Sequence, residues 1–271
     1  VSVTTTDDDV AGFTIAETSG STGVDESGST DIFTVVLNAE PSSNVVLDIT
    51  SSDTGEATVT SSLTFTAANW DTAQTVTVTG VDDDLIDGTI SSSITVAIND
   101  GSSDDNFDAV ADQTVSVTTT DDDVAGFTIA ETNGSTGVTE AGSTDIFTVV
   151  LNAQPTTDVV LTISSGDTGE ATVTSSLTFT SANWDTAQTV TVTGVDEDFV
   201  DQDQTTIITA SILDVSSDDN FDAVADQTVS VTTTDDDVAG FTIAETEGST
   251  GVDESGSTDI FTIVLDTQPS S

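Results

Sequence analysis

The sequence predicts an all-β chain of tandem immunoglobulin-like, seven-stranded β-sandwiches arranged end to end. Three observations predict it. A phrase that begins at Val1, Val115 and Val229 recurs with a period of 114 residues, the size of a whole domain and too long for a solenoid turn. Segments such as "TVTVTGV" (75–81) alternate apolar and hydroxyl residues with a period of two, as half-buried strands do. No segment carries a 3.6-residue apolar period with helix caps, and turn residues punctuate the strands at regular spacing.

The elements follow in order. The aspartate triplets mark the repeat boundaries, giving complete repeats at 10–123 and 124–237 that differ at about 24 of 114 positions. Residues 1–9 are expected to be the last strand of a preceding repeat, and 238–271 the first strands of a further one. In the first complete repeat "GFTIAE" (12–17) reads as a strand and is followed by a Gly/Ser loop. "DIFTVVL" (31–37) and "NVVLDI" (44–49) flank a turn at Pro41. "SLTFT" (62–66), "AQTVTVTGV" (73–81), "SSITVAI" (92–98) and "QTVSVTTT" (113–120) complete the seven. Alternation places Val76 and Val78 on the core face. Trp70 and Trp184 are expected to pack at the core or its rim.

Composition narrows the chemistry. The 271 residues include 50 Asp and Glu and no Lys, Arg or His, for a formal net charge of −50. Disorder is the usual reading of such charge, but 35% hydrophobic content and orderly β patterning oppose it. Binding to nucleic acid is excluded, because phosphate neutralisation needs Lys or Arg. Zinc, copper and haem iron lack their usual Cys, His, Met or Tyr ligands. Without Cys there is no disulfide framework, and no run of 18 apolar residues suggests membrane insertion in this segment. Only carboxylates and hydroxyls remain for acid–base work, so an enzyme is not expected.

The phrase "VTTTDDDVAG" starts at Val3, Val117 and Val231 and raises the central question. At about 4 Å and an effective dielectric near 20, each pair of like charges costs roughly 4 kcal/mol. The chain has no basic side chain to offset this, so the carboxylates must be solvated, protonated or bound to cations. Tracing the strands up and down brings four acidic segments to one pole: Glu17; Asp53 and Glu56; Asp82, Asp83, Asp84 and Asp87; and Asp121, Asp122 and Asp123. The second repeat supplies Glu131, Asp167, Glu170, Asp196, Glu197, Asp198, Asp201, Asp235, Asp236 and Asp237. Such a set suits Ca2+, which takes six to eight oxygen ligands. The EF-hand order is absent, since Leu85 and Ile86 interrupt the loop.

"VTTTDDDVAGFTIAET" and "TVTVTGVDDDLIDG" resemble the Calx-beta domain, found in sodium–calcium exchangers, an integrin subunit and giant bacterial surface proteins of adhesin type. The resemblance spans each complete repeat. It implies calcium ligands at Glu17, Asp82, Asp83, Asp87 and Asp121 to Asp123. In the second repeat it implies Glu131, Asp196, Glu197, Asp201 and Asp235 to Asp237. The second loop reads Asp-Glu-Asp, so position 197 keeps its charge with a longer reach.

These readings lead to one functional expectation: calcium-stiffened spacer repeats of a secreted cell-surface adhesin or extracellular fibre. Its partners would be calcium ions, neighbouring repeats and like chains in a fibre. The alternative is a self-assembling filament, sheath or surface-layer subunit. A regulatory calcium sensor fits less well, because near-identical copies are an array and not one tuned site. The acidic loop at 216–227, with Asp218, Asp219 and Asp222, is expected to help bridge successive repeats through calcium.

Overall fold

A computed structural model describes residues 1–6 and 8–269, which form two compact units, Val1–Asp123 and Val124–Ser271. Among the described residues the first unit holds nine strands: β1 (Phe13–Glu17), β2 (Thr22–Asp25), β3 (Thr30–Leu37), β4 (Val45–Ser51), β5 (Ala57–Val59), β6 (Ser62–Phe65), β7 (Gln74–Gly80), β8 (Ile90–Ile98) and β9 (Gln113–Thr120). They form two sheets, ordered β1-β3-β7-β5 and β2-β9-β8-β4-β6. The count exceeds the expected seven for two reasons. The Gly/Ser loop contains β2, and the turn before β6 contains the three-residue β5.

Period-two alternation builds the core. Phe33, Val35 and Leu37 of β3, Val45, Leu47 and Ile49 of β4, and Val76 and Val78 of β7 are all buried between the sheets. Fully burying each such side chain contributes about 1.5–3 kcal/mol. Trp70 is half-buried against this cluster, and its carbonyl accepts the Leu37 N–H at 3.1 Å.

The route of the first strand matters most for the site. β1 pairs antiparallel with β3, after which a short 3-10 turn at Thr18–Gly20 carries the chain across to the other sheet. Ser19 and Gly20 adopt left-handed backbone there, with φ of 59° and 81°. β2 then runs parallel to β9, from Thr22 opposite Val117 to Asp25 opposite Thr120. Its end passes so close to β7 that a Cβ on Gly80 would lie 1.9 Å from the Asp25 carbonyl oxygen. Glycine at position 80 is therefore a condition of the crossover.

The second unit repeats the plan with β10 (Phe127–Glu131), β11 (Thr136–Thr139), β12 (Thr144–Leu151), β13 (Val159–Ser165), β14 (Ala171–Val173), β15 (Ser176–Phe179), β16 (Gln188–Gly194), β17 (Gln204–Ile212) and β18 (Gln227–Thr234). Its sheets are ordered β10-β12-β16-β14 and β11-β18-β17-β13-β15. Gly194 faces the Thr139 carbonyl as Gly80 faces that of Asp25. Beyond them β19 (Phe241–Glu245) and β20 (Phe261–Leu265) pair as an antiparallel hairpin. Phe241 and Phe261 are 61% and 53% exposed, whereas their counterparts Phe127 and Phe147 are buried. No second sheet covers the hairpin among the described residues.

Two expectations change. Residues 1–6, 8 and 9 are assigned to no strand, and Asp7 lies outside the described residues. Asp218 is a structural acceptor. It is 4% exposed and takes hydrogen bonds from Thr156 N–H (2.7 Å), Thr156 Oγ1 (2.6 Å), Thr157 N–H (3.0 Å) and Asn220 N–H (3.0 Å). Burial opposes its charge, but bonds from the Thr156 hydroxyl and the Thr157 N–H outweigh it and hold the carboxyl below its ordinary range. Asp104 does the same in the first unit with Ser42 and Ser43. These oxygens tie two loops of one sandwich and have little capacity left for a bridging cation.

Candidate metal centre

The key side chain of the first unit is Glu26, directly after β2. Thr22, Val24 and Glu26 are 2%, 5% and 1% exposed, so the strand's inward face continues past its end and turns a carboxylate inward. The Glu26 N–H donates to the Thr120 carbonyl at 3.1 Å, extending the β2–β9 pairing up to the residue before the triplet. Neither carboxylate oxygen has a hydrogen-bond partner. Burial, followed by the charges of Asp121, Asp83, Asp87 and Glu56, pushes its pKa up from 4.5 to about 7.

Three further segments converge on it. In the triplet, Asp121 Oδ1 accepts the Asp123 N–H at 2.7 Å, and Asp121 Oδ2 accepts the Gly88 N–H at 2.8 Å. Gly88 sits at φ 75°, which turns that N–H back from the loop after β7. Asp123 is raised to about 6 by burial and then by Asp121, Asp84, Asp122 and Asp83, and its Oδ2 has no partner. Asp83 and Asp87 come from the β7–β8 loop. Glu56 comes from the turn before β5, is 7% exposed, and keeps Oε2 unpartnered. Burial and the charge of Asp87 raise it as well.

Ligand atoms of Glu26, Asp121 and Asp123 lie within 4.8 Å of one another, as do those of Glu56, Asp83 and Asp87. In the second unit Glu140, 0% exposed, belongs to two such groups, one with Asp235 and Asp237 and one with Glu197 and Asp201. Burial leads the rise of its pKa to about 7, partly opposed by the Asp236 N–H that donates to Oε2 at 3.3 Å. Oε1 has no partner, nor do Glu170 Oε2, Glu197 Oε1 or Asp237 Oδ2. A cavity of about 440 Å³, lined in part by Asp167, Glu170 and Asp201, opens beside this cluster.

The donor set is all oxygen and anionic, and several of its buried oxygens have no hydrogen-bond partner, which fits a hard divalent cation. Each group of three carboxylates could furnish up to six oxygens. Calcium accepts such a number and such irregular geometry, whereas magnesium demands a near-ideal octahedron and retains water.

Several expected residues lie elsewhere. Among the described residues, Glu17 and Glu131 belong to no such group. Their Oε2 atoms accept hydrogen bonds from Thr22 Oγ1 (3.2 Å) and Thr136 Oγ1 (2.9 Å). They end the strands before the crossover, and a turn and a further strand separate them from the pole. Asp82, Asp84 and Asp122 are exposed while Asp83, Asp121 and Asp123 turn inward, because consecutive side chains of extended backbone alternate. Asp196, Asp198 and Asp236 stand outside the second unit's groups for the same reason. Asp53 and Asp167 close turns by accepting the Gly55 and Gly169 N–H groups at 3.0 and 2.8 Å. Their charges still act on Glu56 and Glu170. Glu170 itself lies beside the cluster, acted on first by burial and then by the charge of Asp201.

Glu26 and Glu140 were not expected from the sequence, yet a signal exists. "TGVDE" and "TGVTE" keep the period-two pattern, and the acid at its end persists where Asp25 becomes Thr139.

No family model matches the chain, and no curated protein matches it. Among solved structures, the calcium binding domain CBD12 of CALX1.1 aligns at 16% identity and a TM-score of 0.33, over 73% of this chain and 80% of that one. Domains 4 and 5 of the S-layer protein SbsC align at 16% identity and a TM-score of 0.34, over 82% and 97%. The apo-form Calx CBD1 domain aligns at 15% identity and a TM-score of 0.32, over 42% and 100%. These are resemblances only, and the site stands on its own geometry.

Proposed function

We propose that this chain is a run of calcium-stiffened spacer repeats in a secreted cell-surface adhesin or extracellular fibre. One observation carries the reading: Glu26 and Glu140 are buried with unpartnered carboxylate oxygens among further inward-facing acids, in a chain that has no basic side chain. Four segments of each sandwich meet at that point. Without a cation their mutual repulsion loosens the pole.

In the first unit, Glu26, Asp121, Asp123, Glu56, Asp83 and Asp87 would hold calcium. In the second, Glu140, Asp235, Asp237, Glu197 and Asp201 would do so, with Glu170 beside them. The bound ion supplies the positive charge that the chain lacks. The residues then join the end of β2, the turn before β5, the β7–β8 loop and the triplet into one rigid cap. The triplet leads directly into the next repeat, so a stiff cap fixes the direction in which the chain leaves. The reading is structural and assigns no catalysis. No helix among the described residues is long and apolar enough to cross a membrane.

An ion at a hundred times its dissociation constant stabilises the folded state by about 2.7 kcal/mol. Calcium titration and thermal unfolding of the 271-residue chain test the proposal. Saturable binding at both poles and a higher melting temperature are expected. Identical melting in calcium and in excess chelator, with no metal retained on dialysis, would overturn it.

A further inference from the structure

The loop between β16 and β17 (195–203) carries Glu197 and Asp201, and the residues between them reach the chain that follows the second repeat. The Asp198 carbonyl accepts the Gln268 N–H at 2.7 Å. Phe199 and Gln268 form an isolated parallel β-bridge. Val200 lines a cavity of about 300 Å³ with Ala239, Gly240, Leu265, Thr267 and Pro269. One face of the loop therefore bears the carboxylates, and its apex bears a backbone edge.

The connections close a circuit. Gln202 N–H donates to Asp235 Oδ2 at 2.8 Å, which ties the loop to the triplet, and Gln202 holds a left-handed φ of 71° to do so. The triplet continues covalently into Val238–Gly240. The Gly240 carbonyl accepts the Asp266 N–H at 3.0 Å, and Gln268, two residues on, returns to Asp198. Glu197 precedes Asp198 directly and Asp201 follows Val200 directly. Any ion that orders those two carboxylates also orders the atoms that grip position 268.

We infer that loop 195–203 is an inter-repeat clamp, with a cation-binding side and a side that docks residues 265–269 of the following segment. The inference rests on the calcium reading and adds that ion binding and docking are coupled. Such coupling is reciprocal, so loss of docking weakens the ion at this pole by the same factor that loss of the ion weakens docking.

Amide hydrogen exchange and calcium titration of the full 271-residue chain provide the test, in a Glu26→Gln background so that affinity reports mainly the second pole. The Gln268 amide should be protected in calcium and exchange freely in chelator. Gln268→Pro removes the donor N–H without touching a carboxylate, and should lower calcium affinity about five-fold or more. Gln268→Asn keeps the N–H and should restore it. If calcium binds at the second pole while Gln268 exchange is indifferent to it, or Gln268→Pro leaves affinity unchanged, the clamp is wrong and the calcium reading survives. If no calcium binds at either pole of the unmutated chain, both fall.

Discussion

Replacing Glu26 and Glu140 together by Gln should move stability in opposite directions with and without calcium. Each carboxyl has an ordinary pKa of 4.5 and stands at about 7 in the metal-free fold, because burial and then neighbouring acids, Asp121 foremost for Glu26, disfavour its charge. Between those values the folded state binds the proton and the unfolded state does not. Stability therefore falls as pH rises through that window and levels off above it. At about 1.4 kcal/mol per pH unit, the loss by pH 8 is at most about 3.5 kcal/mol per site, and less where water entering the open pole screens the charge. Gln has nearly the same shape and never ionises. In chelator at pH 8 the double variant should unfold at a higher temperature than the parent, by several degrees, and its stability should change less between pH 5 and 8. In calcium the order should reverse, since the parent gains ion binding and the variant loses a ligand at each pole. Calorimetric melting at pH 5 and pH 8, with calcium and with chelator, reads all four states. A variant no more stable than the parent in chelator at pH 8, or an equal gain of both proteins from calcium, would refute the reasoning.

Other outcomes follow from particular residues. Asp83→Asn or Asp123→Asn should reduce calcium affinity by at least ten-fold more than Asp82→Asn or Asp122→Asn in titrations, because alternation turns only the first pair inward. Gly80→Ala should destabilise the first unit by about 1–3 kcal/mol, as a forced overpacking does. It should also weaken calcium binding at that pole, since the new Cβ displaces the strand end that carries Glu26. Asp104→Asn and Asp218→Asn should lower the melting temperature equally in calcium and in chelator, since these acids accept intra-sandwich hydrogen bonds away from the metal centre. The Asn106 N–H, with the Ser42 hydroxyl and Ser43 N–H, holds Asp104 below the usual carboxylate range. Its contribution is present at neutral pH and should fade as pH falls below the ordinary carboxylate value, which acid titration of unfolding can follow.

Much of the architecture was legible from local pattern alone. Buried strands need apolar side chains every second residue, so Val76, Val78 and the Phe-Thr-Val-Val-Leu run of β3 declare both strand and inward face. The period of 114 declared the size of the repeat, and the absence of any basic residue declared that clustered acids must be solvated, protonated or bound to external cations. What sequence could not decide was which acids meet. Glu17 ends a strand, where the resemblance placed a ligand, but Gly80 and the turn at Thr18–Gly20 let the chain change sheets and extend a further strand length to Glu26. Within each triplet, charge is identical at every position, and only the pleat separates Asp121 and Asp123 from Asp122. Residue type and spacing set the hydrogen bonding and burial along each strand, whereas proximity at the pole depends on where strands distant in sequence terminate in space.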